Sequence, residues 1–244
     1  MTLVEHLQEL RRRLIVSVVA VTLMAVVAFG IYGSILHVLQ EPYCSAFPRH
    51  CALYITSPLS GLSLRVKIAT YGGIFLASPV VLWNIWRFIT PGLEKREKRY
   101  AYPFVASSIL LFAMGAGVAY MVFPHALRWL TGIGGPTLHT IYSPNSYISL
   151  ILLLMVVFGI TFEFPAVLVA LELAGIVKPQ QLSAWRRWAI VLITLGAAIF
   201  IPSGDPFSMI AMVVPLYVFY ELSIVIGRVA LRRRSRVASR EAAS

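Results

Sequence analysis

The chain has 244 residues, of which 59% are hydrophobic and 13% are charged. Soluble domains carry about 25% charged residues, so these charges are too few to cover a water-soluble domain of this size. The same apolar excess excludes disorder. A net charge of +11 would suggest nucleic acid in a soluble protein. Here the basic residues lie between apolar runs and instead indicate membrane topology, so we expect a membrane protein that binds no nucleic acid.

Six apolar stretches predict an all-α membrane protein with a six-transmembrane-helix bundle. They lie at residues 14–36, 66–89, 101–123, 147–172, 188–201 and 207–227. At about 1.5 Å per residue, each of the first four is longer than the hydrocarbon core of about 30 Å, whereas the fifth spans only about 20 Å. The fifth helix must therefore lie shallow, extend through interfacial residues or thin the bilayer.

The basic residues also predict the orientation. With the N-terminus inside, 17 of the 21 Lys and Arg residues lie on the cytoplasmic side, so both termini are expected there. This gives an amphipathic N-terminal segment at 1–13, a transmembrane domain at 14–228 and a basic tail at 229–244. The tail is expected to be disordered or held on anionic lipid headgroups.

Two cytoplasmic segments carry distinctive patterns. In the first, Glu9 and Arg13 are spaced to pair on one side of a helix. In the second, Pro91 and Gly92 end the second span and a mixed charge run follows at 94–99. Taken singly, the first segment is typical of a surface helix and the second of a positive inner loop.

Together, the two segments resemble the receptor subunit of the twin-arginine protein translocase, the TatC family. In that family a His-Leu-x-Glu-Leu-Arg-x-Arg-Leu segment pairs with a Phe-x-x-Pro-x-Leu-x-x-x-Glu loop, and here these patterns stand at 6–14 and 88–97. The resemblance continues through Ser57-Pro58, through residues 162–165 and through the turn at 202–205. It therefore covers nearly the whole chain.

The resemblance implies that these segments bind the twin-arginine motif of precursor signal peptides. Glu9 and Glu97 match the family's recognition carboxylates, and the same two segments contribute Arg11, Phe88, Pro91 and Leu93. A guanidinium presents a planar fork that a carboxylate can bind with two hydrogen bonds, whereas lysine presents a point charge. The family also implies a glove-like, concave bundle, partner subunits TatA and TatB, further TatC copies, and transport that draws on the proton-motive force.

Glu163 lies deep in the fourth span, followed by Pro165. A buried acid is costly in a membrane and usually faces a bundle interior or a wet cavity. Pro165 removes a backbone donor, so a kink is predicted beside the acid. The resemblance places Phe162, Glu163 and Pro165 on the concave face, where a partner or signal peptide packs. A structural hydrogen bond between helices is the alternative role.

Three features fall on the predicted outer side. Asp205 before Pro206 is typical of a helix N-cap, while the family carries a functional acid in this turn. Pro58 belongs to the part of the first outer loop that resembles the family. Cys44 and Cys51 lie in that same loop, where a disulfide is permitted.

Other classes of function are less well supported. Asp205 is the only aspartate, whereas an aspartyl protease needs two acids. No histidine lies at membrane depth, so the catalytic base of a Ser–His dyad is lacking too. We therefore expect that the chain is not an enzyme. Two cysteines exclude a multi-cysteine metal site, and we expect no cofactor. The remaining alternative is a small ion-coupled transporter with Glu163 as its coupling carboxylate, although such folds usually show two matching broken helices.

Overall fold

A computed structural model describes residues 3–48, 51, 53–55, 57–89, 101–133, 135, 143–173 and 175–241. All the regular structure in these ranges is helical. The nine helices found there are α1 (Leu3–Gly30), α2 (Tyr32–Ala46), α3 (Ser60–Ile89), α4 (Ala101–Ile133), α5 (Pro144–Thr161), α6 (Phe164–Leu173), α7 (Pro179–Ala184), α8 (Arg186–Phe200) and α9 (Pro206–Glu241).

Five segments are long and apolar enough to cross a membrane. They are Val4–Gly30, Ser60–Phe88, Phe104–Ile133, Pro144–Leu173 and Pro206–Val229, and the fourth of them combines α5 with α6. These segments confirm the prediction of an all-α membrane protein. The predicted short span corresponds to α8, whose 15 residues reach about 22 Å at 1.5 Å per residue.

The first span and the tail differ from the predicted boundaries. The N-terminal segment and the first span form the single helix α1, which ends at Gly30 rather than at residue 36, because the chain turns at Ile31 before α2. Both sides of this turn are apolar, so hydropathy gives no sign of it. The tail, expected to be either disordered or held on anionic lipid headgroups, continues α9 as a helix as far as Glu241, and its contact with lipid stays a prediction. Its Arg and Ala residues are good helix formers.

Small residues set the distance between neighbouring helices. A Cβ atom added at Gly73 of α3 would lie 2.7 Å from the backbone nitrogen of Ala25 in α1. One added at Gly115 of α4 would lie 2.6 Å from the carbonyl oxygen of Phe158 in α5. Glycine at these positions therefore lets the backbones approach closely, as is typical of membrane helix pairs.

The predicted kink in the fourth span is present as a break between two helices. α5 ends at Thr161, Phe162 and Glu163 form a turn, and α6 begins at Phe164. Pro165 has no N–H to bond the carbonyl of Thr161, which ends the regular hydrogen-bond ladder. The break places the Glu163 side chain at a turn rather than within a continuous helix.

Candidate functional site

The first part of the site lies where α1 and α3 meet at the predicted cytoplasmic end. The ring of His6 stacks on the ring of Phe88, with centroids 4.4 Å apart and planes inclined by 23°. Glu9 lies one turn further along α1, and Arg87 is close enough for its charge to act on the Glu9 carboxylate. The fold therefore brings the N-terminal segment to the last turn of α3, directly before residues 90–100.

Glu9 already has a guanidinium partner in the chain. Arg13 donates to Glu9 Oε1 from Nε, at 3.2 Å, and from Nη2. The predicted i,i+4 pair is thus present, and its side chains are 24% exposed for Glu9 and 16% exposed for Arg13. The carboxylate is held in a guanidinium-binding geometry near the predicted cytoplasmic end of α1.

The remaining residues predicted to bind the signal peptide are not found beside Glu9 among the described residues. Arg11 lies about 200° around α1 from Glu9, in an open surface groove lined by Gln8, Arg11, Arg12, Ile15 and Val16. The structure therefore does not bring Arg11 to the carboxylate. Pro91, Leu93 and Glu97 lie outside the described residues, so their positions stay predictions.

The second part of the site is the carboxylate of Glu163. Both of its oxygens are buried, and neither has a hydrogen-bond partner of normal geometry among the described residues. Ser108 of α4 is a polar neighbour of this carboxylate and accepts a 2.7 Å hydrogen bond from Trp86 Nε1 of α3. Polar groups of α3 and α4 therefore lead to a carboxylate whose two oxygens are buried, a costly arrangement for a charged group.

Phe162 and Pro165 hold the turn that carries this acid. The Phe162 side chain is 1% exposed and its ring meets the ring of Phe219 of α9 edge-on, with centroids 5.6 Å apart. Pro165 is buried at the start of α6. Both residues are therefore packed in the interior on either side of the turn that carries Glu163.

The residues predicted on the outer side are Asp205, Pro58 and the pair Cys44 and Cys51. Asp205 is fully buried; its Oδ1 accepts a 2.7 Å hydrogen bond from the backbone N–H of Ser208, and its Oδ2 accepts one from the Ser203 hydroxyl. This is an N-cap at the start of α9. Pro58 is exposed in the turn before α3. Cys44 and Cys51 are joined by a disulfide, with Cα atoms 4.8 Å apart.

Several polar or aromatic groups near these sites were not predicted as site residues. His6 lies within one turn of Glu9 on α1, but its stack on Phe88 is a contact between helices. The hydrogen bond from Trp86 to Ser108 is another such contact, and residue spacing reveals neither of them. Glu172 is 1% exposed and packs against Gly227 of α9. Among the described residues, no group of three His, Cys, Asp or Glu side chains could hold a metal ion.

Comparison with known proteins identifies the family. The profile of the Sec-independent protein translocase protein TatC matches residues 5–215. The chain belongs to the TatC family. The TatC of Aquifex aeolicus is 41% identical over 97% of this chain and 99% of its own length. The TatC of Frankia casuarinae is 37% identical over 97% of this chain and 68% of its own length.

Solved structures agree with this assignment. A crystal structure of the twin-arginine translocase receptor TatC in the detergent DDM has a TM-score of 0.77 and 40% identity, covering 91% of this chain and 99% of that one. This TatC-family chain is therefore a component of a protein translocase and a multi-pass protein of the bacterial cytoplasmic membrane. The family is one of transport proteins rather than of catalytic enzymes.

Proposed function

We propose that this chain is the receptor and core subunit of a twin-arginine translocase, and that Glu9 and Glu97 bind the two arginines of a precursor's signal peptide. The observation that carries the proposal is the position of Glu9. It lies in a guanidinium-bound state beside the end of α3, the point from which the chain leads to Glu97. Membership of the TatC family supports the same role.

The geometry suggests how the receptor tolerates its own positive charge. The N-terminal segment contains Arg11, Arg12 and Arg13, which would repel a cationic peptide at long range. Arg13 is neutralised by Glu9. Arg11 and Arg12 line the surface groove, and Arg11 lies about 200° around α1 from Glu9. A guanidinium of the signal peptide displaces the guanidinium of Arg13 from the Glu9 carboxylate. One arginine–carboxylate pair is thereby exchanged for another of the same geometry.

Photo-crosslinking in native membranes tests the assignment. Glu9→Ala and Glu97→Ala are expected to abolish crosslinking of an Arg-Arg precursor to this chain, because each removes one carboxylate of the pair. Glu5→Ala is the matched control, since it removes the same charge from the same helix and should leave crosslinking intact. Unchanged crosslinking in both Glu9→Ala and Glu97→Ala would contradict the proposal.

Glu163 is proposed to act after binding. Its buried carboxylate, which has no hydrogen-bond partner of normal geometry in the part of the chain that the structure describes, can accept a hydrogen bond from a TatA or TatB subunit or from the signal peptide, in a transport step driven by the proton-motive force. We expect Glu163→Ala to block export while precursor binding remains. Glu172→Ala is the matched control, because the Glu172 carboxylate is also buried without a hydrogen-bond partner among the described residues but packs against Gly227 of α9 rather than at the break; it should leave export intact if the position of Glu163, and not burial alone, gives the role. Normal export by Glu163→Ala would refute this role.

The other proposed partners are further copies of the same chain and anionic lipids at the basic cytoplasmic segments, which carry most of the Lys and Arg residues. The alternative function, a small ion-coupled transporter, is favoured by one observation, the buried position of the Glu163 carboxylate in a break of the fourth span. Solute uptake by the purified chain alone in liposomes would support that alternative. Binding of an Arg-Arg signal peptide, without uptake, would support the receptor.

A further inference from the structure

Ser108 of α4 differs from the serine beside it in how its hydroxyl is used. Ser108 is fully buried, and its Oγ accepts a 2.7 Å hydrogen bond from Nε1 of Trp86 in α3. Ser107 instead donates to the carbonyl of Phe104, one turn back in its own helix, as serines in helices commonly do. Among the described residues, Ser108 makes no such bond to its own helix.

The chemistry of the Trp86 indole determines what the Ser108 hydroxyl can still do. An indole N–H can only donate, so Oγ is the acceptor in this pair and the hydroxyl hydrogen remains available. The Glu163 carboxylate lies beside it, and both carboxylate oxygens are buried without a hydrogen-bond partner of normal geometry among the described residues. An available donor therefore adjoins an acceptor that is costly to leave unmet.

A small apolar core holds the elements that carry these groups together. It joins α3, α4 and α6 through Leu82, Trp86, Val105, Phe112 and Ala166. The Glu163 carbonyl accepts a 3.1 Å hydrogen bond from the N–H of Val167, so Ala166 follows Glu163 by one helical turn on the same side. Val105 and Phe112 likewise lie one turn before and after Ser108. The core thus packs the side of α4 that carries Ser108 against the side of α6 that follows Glu163.

We propose that Ser108 is a positioning residue for Glu163: its hydroxyl, oriented by the Trp86 indole, donates to one carboxylate oxygen and leaves the other open to a partner. This inference rests on the proposed role of Glu163 in export. A carboxylate held at one oxygen presents the other in a set direction, which lowers the ordering cost when a partner binds. Ser108 therefore acts in the step after precursor binding and not in binding itself.

The experiment compares two side chains of similar size at position 108. Ser108→Thr and Ser108→Val add a similar volume at a buried site and share any cost of overpacking, whereas only threonine keeps the hydroxyl. Export of an Arg-Arg precursor is measured in membrane vesicles that contain the complete translocase. We expect Ser108→Val to export about five- to tenfold more slowly than Ser108→Thr, because a buried carboxylate loses its donor. Ser108→Ala should be slowed as Ser108→Val is, and Ser107→Ala, the matched control, should export normally.

Two further readouts separate positioning from a general loss of structure. Photo-crosslinking of the precursor should be unchanged in every variant, so that the loss appears in export alone. Trp86→Phe keeps an aromatic ring but removes the N–H, and should slow export about two- to threefold. Combining it with Ser108→Val should add little to the effect of Ser108→Val, because both act on the same hydroxyl.

Thermal unfolding in detergent tests the contact without partner subunits. The Tm gap between Ser108→Thr and Ser108→Val should be larger with Glu163 than in the Glu163→Met background, because only the first contains a carboxylate that loses its donor. Equal gaps in the two backgrounds would overturn the positioning role, and so would normal export by Ser108→Ala while Glu163→Ala is blocked. If Glu163→Ala itself exported normally, the proposed role of Glu163 would fail and this inference with it.

Discussion

Replacing Gly115 with alanine tests the packing that fixes the break at Glu163. The new Cβ would lie 2.6 Å from the carbonyl oxygen of Phe158 and 2.9 Å from the ring of Phe162. Ordinary contact begins near 3.4 Å, so α4 and α5 would have to separate by about 0.8 Å in a closely packed interior. Overpacking of this kind costs about 1–3 kcal/mol.

Gly117 in the same helix provides the matched control, since a Cβ there meets nothing within 4 Å. Both substitutions gain alanine's helix preference of about 1 kcal/mol, so their difference isolates the packing cost. Thermal unfolding in detergent, followed by circular dichroism, should give Gly115→Ala a Tm below that of Gly117→Ala. At about 2–4 °C per kcal/mol, the gap should be several degrees. Equal Tm values would refute the close approach of α4 and α5.

Three further predictions follow from local contacts. Arg13→Gln should tighten Arg-Arg peptide binding about twofold relative to Arg12→Gln, because Arg13, unlike Arg12, pairs with the Glu9 carboxylate. An anisotropy titration measures both affinities. Weaker binding by Arg13→Gln would contradict the displacement of Arg13 by the peptide. Asp205→Ala should lower the free energy of unfolding by about 0.5–2 kcal/mol through loss of the N-cap, with Asp205→Asn nearly neutral in the same unfolding assay. Alkylation of native membranes without reductant should label neither Cys44 nor Cys51, and labelling of both would show that the disulfide is absent.

Features that depend on neighbouring residues could be predicted from the sequence. The i,i+4 pair of Glu9 with Arg13, the break at Pro165 and the N-cap at Asp205 each follow from residue types at short, fixed spacing. The membrane class follows from composition alone. In each case the deciding interaction lies within about one helical turn, where geometry is set by the backbone.

Contacts between helices could not be predicted in the same way. The stack of His6 on Phe88 and the hydrogen bond from Trp86 to Ser108 depend on the rotation and register of whole helices. The early end of α1 at Gly30 also escaped prediction, because apolar residues continue on both sides of the turn. The motif assigns Arg11 to the signal-peptide site, and that assignment stays a prediction, since Arg11 lines the surface groove about 200° around α1 from Glu9.

Binding of signal peptides to the purified chain tests the central claim most directly. The Kd for an Arg-Arg peptide should be at least about tenfold lower than for its Lys-Lys counterpart, since each fork offers one more charge-assisted hydrogen bond than an ammonium can align. Glu9→Gln and Glu97→Gln should each remove most of that preference. Equal affinity of the wild-type chain for the two peptides would contradict recognition of paired guanidinium groups by these carboxylates.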